Sequence, residues 1–133
     1  YVLIDGGPDG TQMPEVILVA TGSEVALALT ARERLERAGI RTRVVSMPCR
    51  EWFDAQPRSY RDRVLPPSVR ARVSIEAGVS QGWREVVGDA GRIVAIDHFG
   101  ASADGATLFR EFGFTPEAVV AAAKASLTAS KER

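Results

Sequence analysis

Residues 16–20, Val-Ile-Leu-Val-Ala, are five apolar residues in a row, closed by Thr21-Gly22-Ser23-Glu24. A strand with one face in water alternates apolar and polar side chains. A strand without that alternation is buried on both faces, which is the property of a sheet covered by helices on either side. From Glu24 the period changes. Val25, Ala28, Leu29, Leu35 and Ala38 recur at helical spacing, while Arg32, Glu33, Arg34, Glu36 and Arg37 fall mostly on the opposite side. Glu33 and Arg37 stand at the favourable i,i+4 spacing, and Gly39 supplies a stop. A doubly buried strand feeding an amphipathic helix is half of a βαβ unit.

The remainder repeats this alternation. Tyr1–Ile4 reads as a short strand, followed by a Gly- and Pro-rich loop over 5–14. Strands are predicted over 41–47, 71–76 and 92–97, short helices over 52–55 and 58–65, a helical turn over 83–87 and a helix over 104–112. Thr115-Pro116-Glu117 combines a capping residue, proline at the first helical position and an acid in the first turn, so a helix starts there. It is expected to run to about Ser126, with 128–133 as a frayed tail. Strands alternating with helices give an α/β domain with a mostly parallel sheet, and right-handed crossovers put helices on both faces. The chain has 133 residues, the size of one such domain. It begins at Tyr1 rather than Met, already in a strand, and is expected to be a piece of something larger.

Charge and composition narrow the function classes. Lys plus Arg number 17 and Asp plus Glu 17, so no excess charge points to nucleic acid or an anionic membrane. The local run Arg58, Arg61, Arg63, Arg70 and Arg72 is interrupted by Asp62 and Pro66-Pro67 and reads as a solvated face. One cysteine, Cys49, and one histidine exclude a disulfide framework and a thiolate or histidine-rich metal site within the chain. No apolar run approaches the ~18 residues of a membrane span, and no signal peptide is visible. A cytoplasmic location fits.

Three turns follow strands and should gather at the carboxyl end of the sheet, where open α/β sheets bind ligands. Thr21-Gly22-Ser23-Glu24 fits a capping box with Thr21 as cap, or alternatively an anion-binding turn at a helix start. Glu24 competes with an anion for the positive end of the helix, and neither GxGxxG nor GxxxxGK[ST] is present. Glu76-Ala77-Gly78 and Asp97-His98-Phe99-Gly100 are the other two. Asp97 and His98 are adjacent on a strand and point to opposite faces, so His98 reads as structural or interfacial rather than as a base oriented by Asp97. Thr21, Gly22, Ser23, Glu76 and His98 together form a candidate accessory cleft. Gly78, Trp83, Phe99 and Gly100 mix small and aromatic residues after the same strands and form a candidate subunit contact, with a core role for the two aromatics as the alternative. Trp52, Phe53 and Tyr60 cap a core or fill a contact, and Cys49 reads as an unreactive thiol.

Taken together, ILVATGSEVALAL, RVVSMPCREWFDAQ, YRDRVLP, ARVSIEAG and HFGASADGATLFREFGFTPEAVV resemble the C-terminal third of transketolase. They stand in the family's order and cover nearly all of Tyr1 to Leu127. SIEAG, FGASADG and EFGFT in succession separate that family from relatives that share mainly the ATGSEV-like turn. The resemblance implies a three-layer α/β/α domain with a five-stranded mixed sheet in the order 1-3-2-4-5, the first strand antiparallel. It implies a three-domain parent, a homodimer of the pentose phosphate pathway that moves a two-carbon ketol unit between sugar phosphates. The parent's thiamine diphosphate and Mg2+ (or Ca2+) are held by its other domains. The thiamine motif that begins GDG and ends in Asn is not here, since Gly88-Asp89 is followed by Ala90. No catalytic, cofactor-binding or metal-binding residue is therefore carried over, and the piece is expected to be structural and a dimer contact. Two other readings stay open: the equivalent domain of a pyruvate dehydrogenase β subunit or deoxyxylulose phosphate synthase, and a free-standing anion-binding regulatory module.

Overall fold

The computed structural model describes residues 1–22, 24–76, 83–95 and 115–132. Five strands, β1 (Val2–Ile4), β2 (Val16–Ala20), β3 (Thr42–Ser46), β4 (Arg72–Glu76) and β5 (Arg92–Ala95), form one sheet in the order β1-β3-β2-β4-β5. Strands β3, β2, β4 and β5 are parallel, and β1 runs antiparallel to β3. The helices are α1 (Glu24–Arg37), α2 (Arg50–Asp54), α3 (Arg58–Val64), α4 (Arg84–Val87) and α5 (Pro116–Lys131). The sheet order, the antiparallel first strand and the helical layers on both sides are those expected.

The centre of the sheet explains the opening run of the sequence. All five residues of β2 are fully buried, and its alternate side chains serve two different cores. Val16, Leu18 and Ala20 face α1 and α5, packing with Ala28, Ala31, Leu35, Val119 and Ala123. Ile17 and Val19 face the other way, toward Met47, Val64, Leu65, Trp83 and Val86. Each such aliphatic side chain contributes about 1.5–3 kcal/mol by leaving water, so a polar residue anywhere in β2 would forfeit a large share of the domain's stability.

Helix α1 ends as its glycine suggests. Gly39 has φ +83°, its N–H donates to the Glu36 carbonyl at 2.9 Å, and the Ile40 N–H donates to the Leu35 carbonyl at 2.9 Å. These are the two bonds that close a helix through a left-handed residue. At the other end, α1 starts at Glu24, and Gly22, with φ +52°, is not helical, so Thr21 does not directly precede the first turn as a cap would. Thr21 contributes its backbone instead, its carbonyl accepting from the Glu24 N–H at 3.0 Å. Residue 23 lies outside the described residues, as does the helix predicted over 104–112.

Helix α5 has the predicted cap, with Thr115 Oγ1 accepting from the Ala118 N–H at 3.1 Å. It runs to Lys131, so the expected stop near Ser126 and the frayed tail over 128–133 are corrected for the residues up to 131. Ser126 is a buried anchor rather than a terminator. Its Oγ donates to the Ala90 carbonyl at 2.6 Å and accepts from the Arg72 N–H at 3.0 Å, tying the helix to β4. One turn later Arg70 Nη1 donates to the Ser130 carbonyl at 3.0 Å.

Three arginines expected in water or left unremarked are built into the fold. Arg32 and Glu36, assigned to the outer face of α1, are covered by the 5–14 loop. Arg32 is buried and donates to the carbonyls of Thr42, Asp5 and Gly7. Glu36 Oε2 accepts from the N–H groups of Gly7 and Thr42. Arg43, the second residue of β3, is 4% exposed and pairs with Asp5. Arg72 departs furthest from the solvated face expected of residues 58–72. It donates to the carbonyls of Leu65, Pro66, Val69 and Val86, with burial pulling its pKa down. A planar guanidinium with five donors suits this role, because one side chain satisfies several backbone oxygens that loops bring inside.

Candidate functional site

The carboxyl ends of β2, β3 and β4 open into a cleft of about 320 Å³. Its walls are Thr21, Met47, Pro48, Cys49, Arg50, Glu51, Glu76 and Trp83. Each comes from a segment that leaves the sheet at the same edge, which is where parallel topology collects turns. Thr21 and Glu76, two residues of the predicted cleft, are brought together here. Gly22 lies beside Thr21 with φ +52°, exposed, with open space where a Cβ would be. Ser23 and His98 lie outside the described residues, so the full predicted set is not described.

Among the described residues the lining of the cleft carries one cation and two carboxylates. Arg50 is its cation, and that guanidinium is already engaged, by Glu85 at 2.8 Å and by Asp54 at 3.6 Å. Two carboxylates, Glu51 and Glu76, line the same walls. Glu24, at the positive end of α1, is itself 5% exposed. A carboxylate in the first turn of a helix sits in the field that would otherwise attract an anion.

Sequence reasoning did not assign Met47, Pro48 or Arg50 to this cleft and set Cys49 aside. The available signal was positional: residues 47–51 follow β3 as 21–24 follow β2, and the parallel pairing of those strands brings both turns to one edge. Among the described residues no group of three or more His, Cys, Asp or Glu comes together as a metal site.

Trp83 is 7% exposed and belongs to the core beside Ile17, Val19, Met47 and Val86, while also forming one wall of the cleft. Its side chain thus does the work of the core alternative. Gly78, Phe99 and Gly100 lie outside the described residues.

The family model of the transketolase-like TK C-terminal domain matches residues 1–115. The chain is 64% identical over 124 residues to the transketolase of Mycobacterium leprae, covering 93% of this chain and 18% of that protein. Among solved structures, transketolase from Leishmania mexicana superposes with a TM-score of 0.85 at 42% identity, covering 99% of this chain and 18% of that one. Transketolase from Pichia stipitis, in complex with sedoheptulose-7-phosphate, superposes with a TM-score of 0.80 at 35% identity, covering 96% of this chain and 18% of that one. The chain spans less than one-fifth of the length of these relatives. No helix among the described residues is long and apolar enough to cross a membrane. The sheet order, the core and these likenesses agree: the chain belongs to the transketolase family, as its C-terminal domain.

Proposed function

We propose that this chain serves as the C-terminal domain of a cytoplasmic, homodimeric transketolase that moves a two-carbon ketol unit between sugar phosphates. The observation that carries this reading is the 64% identity to a transketolase across 93% of the chain. The Pichia stipitis transketolase in complex with sedoheptulose-7-phosphate adds that a relative holds a sugar phosphate. In the proposed parent, thiamine diphosphate and Mg2+ (or Ca2+) supply the carbon–carbon bond chemistry from the preceding domains, and this domain contributes no catalytic group. Its role is to scaffold the parent and to contact the second subunit through the segments 76–83 and 97–102. The cleft at Thr21 and Glu76 is an accessory feature of that edge.

The test is made on the full-length protein. Its reading frame upstream of Tyr1 is expected to encode two further domains with a GDG…Asn motif, and the purified protein to transfer a ketol unit when given thiamine diphosphate and magnesium. The 133-residue chain alone is expected to show no transfer and no thiamine diphosphate binding by calorimetry. A full-length protein that binds the cofactor but transfers no ketol unit to any sugar phosphate would overturn the assignment. So would micromolar cofactor binding, one per chain, by the 133-residue chain.

A further inference from the structure

A second groove, which shares the wall Met47–Cys49 with the cleft, lies beside the sheet's antiparallel edge. We propose that this groove, walled by Tyr1, Met47, Pro48, Cys49, Trp52 and Tyr60, seats the stretch of the parent chain that immediately precedes Tyr1. The proposal rests on the reading of this chain as the C-terminal domain of a longer protein, in which most of the parent lies before residue 1.

Backbone geometry carries the upstream chain to the groove. Tyr1 and Ser46 exchange two hydrogen bonds: the Ser46 N–H donates to the Tyr1 carbonyl at 2.9 Å, and the Tyr1 nitrogen donates to the Ser46 carbonyl at 2.7 Å. That is the hydrogen-bonded pair of an antiparallel ladder, and it survives when the Tyr1 nitrogen is a peptide N–H. Continued in the same register, the first residue before Tyr1 stands opposite Met47, the second opposite Pro48 and the third opposite Cys49. Those three residues line the groove. The ladder weakens along them. The Met47 N–H points away from the upstream chain, to the Ala20 carbonyl of β2 at 2.9 Å, and at the next hydrogen-bonded position Pro48 has a carbonyl to accept but no N–H to donate. Past Tyr1 side chains must supply most of the hold.

The groove offers the surface for this. Trp52 is 71% exposed and Tyr1 56%, two of the four large hydrophobic side chains that stand out among the described residues. Behind them Phe53 and Tyr60 pack with ring centroids 6.3 Å apart, giving a firm apolar floor. Exposed aromatics over a packed floor form the kind of pocket in which an interface anchor is buried. The occupant is therefore an extended segment whose alternate side chains are apolar and lie against the Trp52 ring.

The test uses the full-length protein with a cysteine placed at each of the three positions before Tyr1, one at a time. Native Cys49 is the partner, since a disulfide forms only where the two Cα atoms come within about 4.4–6.8 Å. Mild oxidation followed by peptide mapping is expected to find an intrachain bridge to Cys49 in at least one variant, and Cys49→Ser to abolish it. Trp52→Ala in the same protein is expected to raise protease cleavage just upstream of Tyr1 about tenfold, because cleavage tracks the population of the open segment. The absence of any bridge while Cys49 stays freely alkylated by iodoacetamide overturns the proposal. So does a bridge found only between subunits, which would make the second subunit the occupant. Ketol transfer by the unmodified protein is read separately, so an inactive parent with an intrachain bridge refutes the proposed function and leaves the groove assignment standing.

Discussion

Arg43 and Asp5 form a two-armed ion pair, Nε to Oδ1 at 3.0 Å and Nη2 to Oδ2 at 2.9 Å, with the Arg43 side chain 5% exposed. The same guanidinium donates through Nη1 to the carbonyls of Arg63 and Val64. One side chain in the second strand from the edge thus ties the 5–14 loop to the end of α3. Asp5→Ala leaves a buried cation facing only two carbonyls, and the expected cost is about 3 kcal/mol, the usual penalty for removing one partner of a buried pair. Urea melts of the two single variants and the double variant measure the coupling. A loss below about 0.5 kcal/mol for Asp5→Ala, the size of a surface pair, would show that the pair contributes nothing.

Two glycines should respond differently to alanine. At Gly91 a Cβ would sit 2.3 Å from Val87 Cβ and 2.5 Å from the Val87 backbone oxygen, so no side-chain rotation relieves the clash. At Gly39 nothing lies within 4 Å, and the penalty is the positive φ alone. Gly39→Ala is expected to cost about 1 kcal/mol. Gly91→Ala is expected to cost at least about 3 kcal/mol, at the top of the overpacking range, because the backbone itself must move. Thermal melts that rank the two in the opposite order would contradict the packing of the turn before β5.

The two threonines at helix starts form a similar contrast. Thr115→Ala removes a side-chain acceptor for the Ala118 N–H and should cost about 1 kcal/mol. Thr21 serves α1 through its backbone carbonyl, which alanine retains, so Thr21→Ala should cost clearly less. Denaturant midpoints of the two variants decide. Equal losses would mean that the Thr21 hydroxyl caps α1 after all.

Acid should loosen the contact between α1 and α5. A hydrogen bond from Arg34 holds the exposed Glu117 carboxyl below its usual range, helped by its own backbone N–H. A carboxyl with a depressed folded pKa favours the folded state above its ordinary value of 4.5, and that contribution is lost as pH falls through the folded value. Glu117→Gln should therefore lower stability slightly near pH 7, by no more than an exposed, solvent-screened pair contributes, and flatten the acid limb so that variant and parent converge in acid. Curves for parent and variant that run parallel below pH 4.5 would count against the contact.

Local chemistry made much of the architecture readable from the chain. The unbroken run Val16–Ala20, the Gly39 stop and the Thr115-Pro116-Glu117 start each depend on a few neighbouring residues, and the structure has all three. The strand order, by contrast, came from the resemblance, since periodicity does not say which strands pair. Burial of the arginines was decided only in three dimensions. Arg43 meets Asp5 across 38 positions and Ser126 meets the Arg72 backbone across 54, distances at which helical or strand periods carry no information. Periodicity assigned Arg32 and Glu36 to solvent because it treats a helix as standing alone, and the 5–14 loop folded back over that face. The cleft followed the same division. Thr21 and Glu76 could be placed at one edge from the strand pattern, but Cys49 and Arg50 joined them, and Arg50 was claimed by Glu85, only through the packing of α2 and α4 below the sheet's carboxyl end.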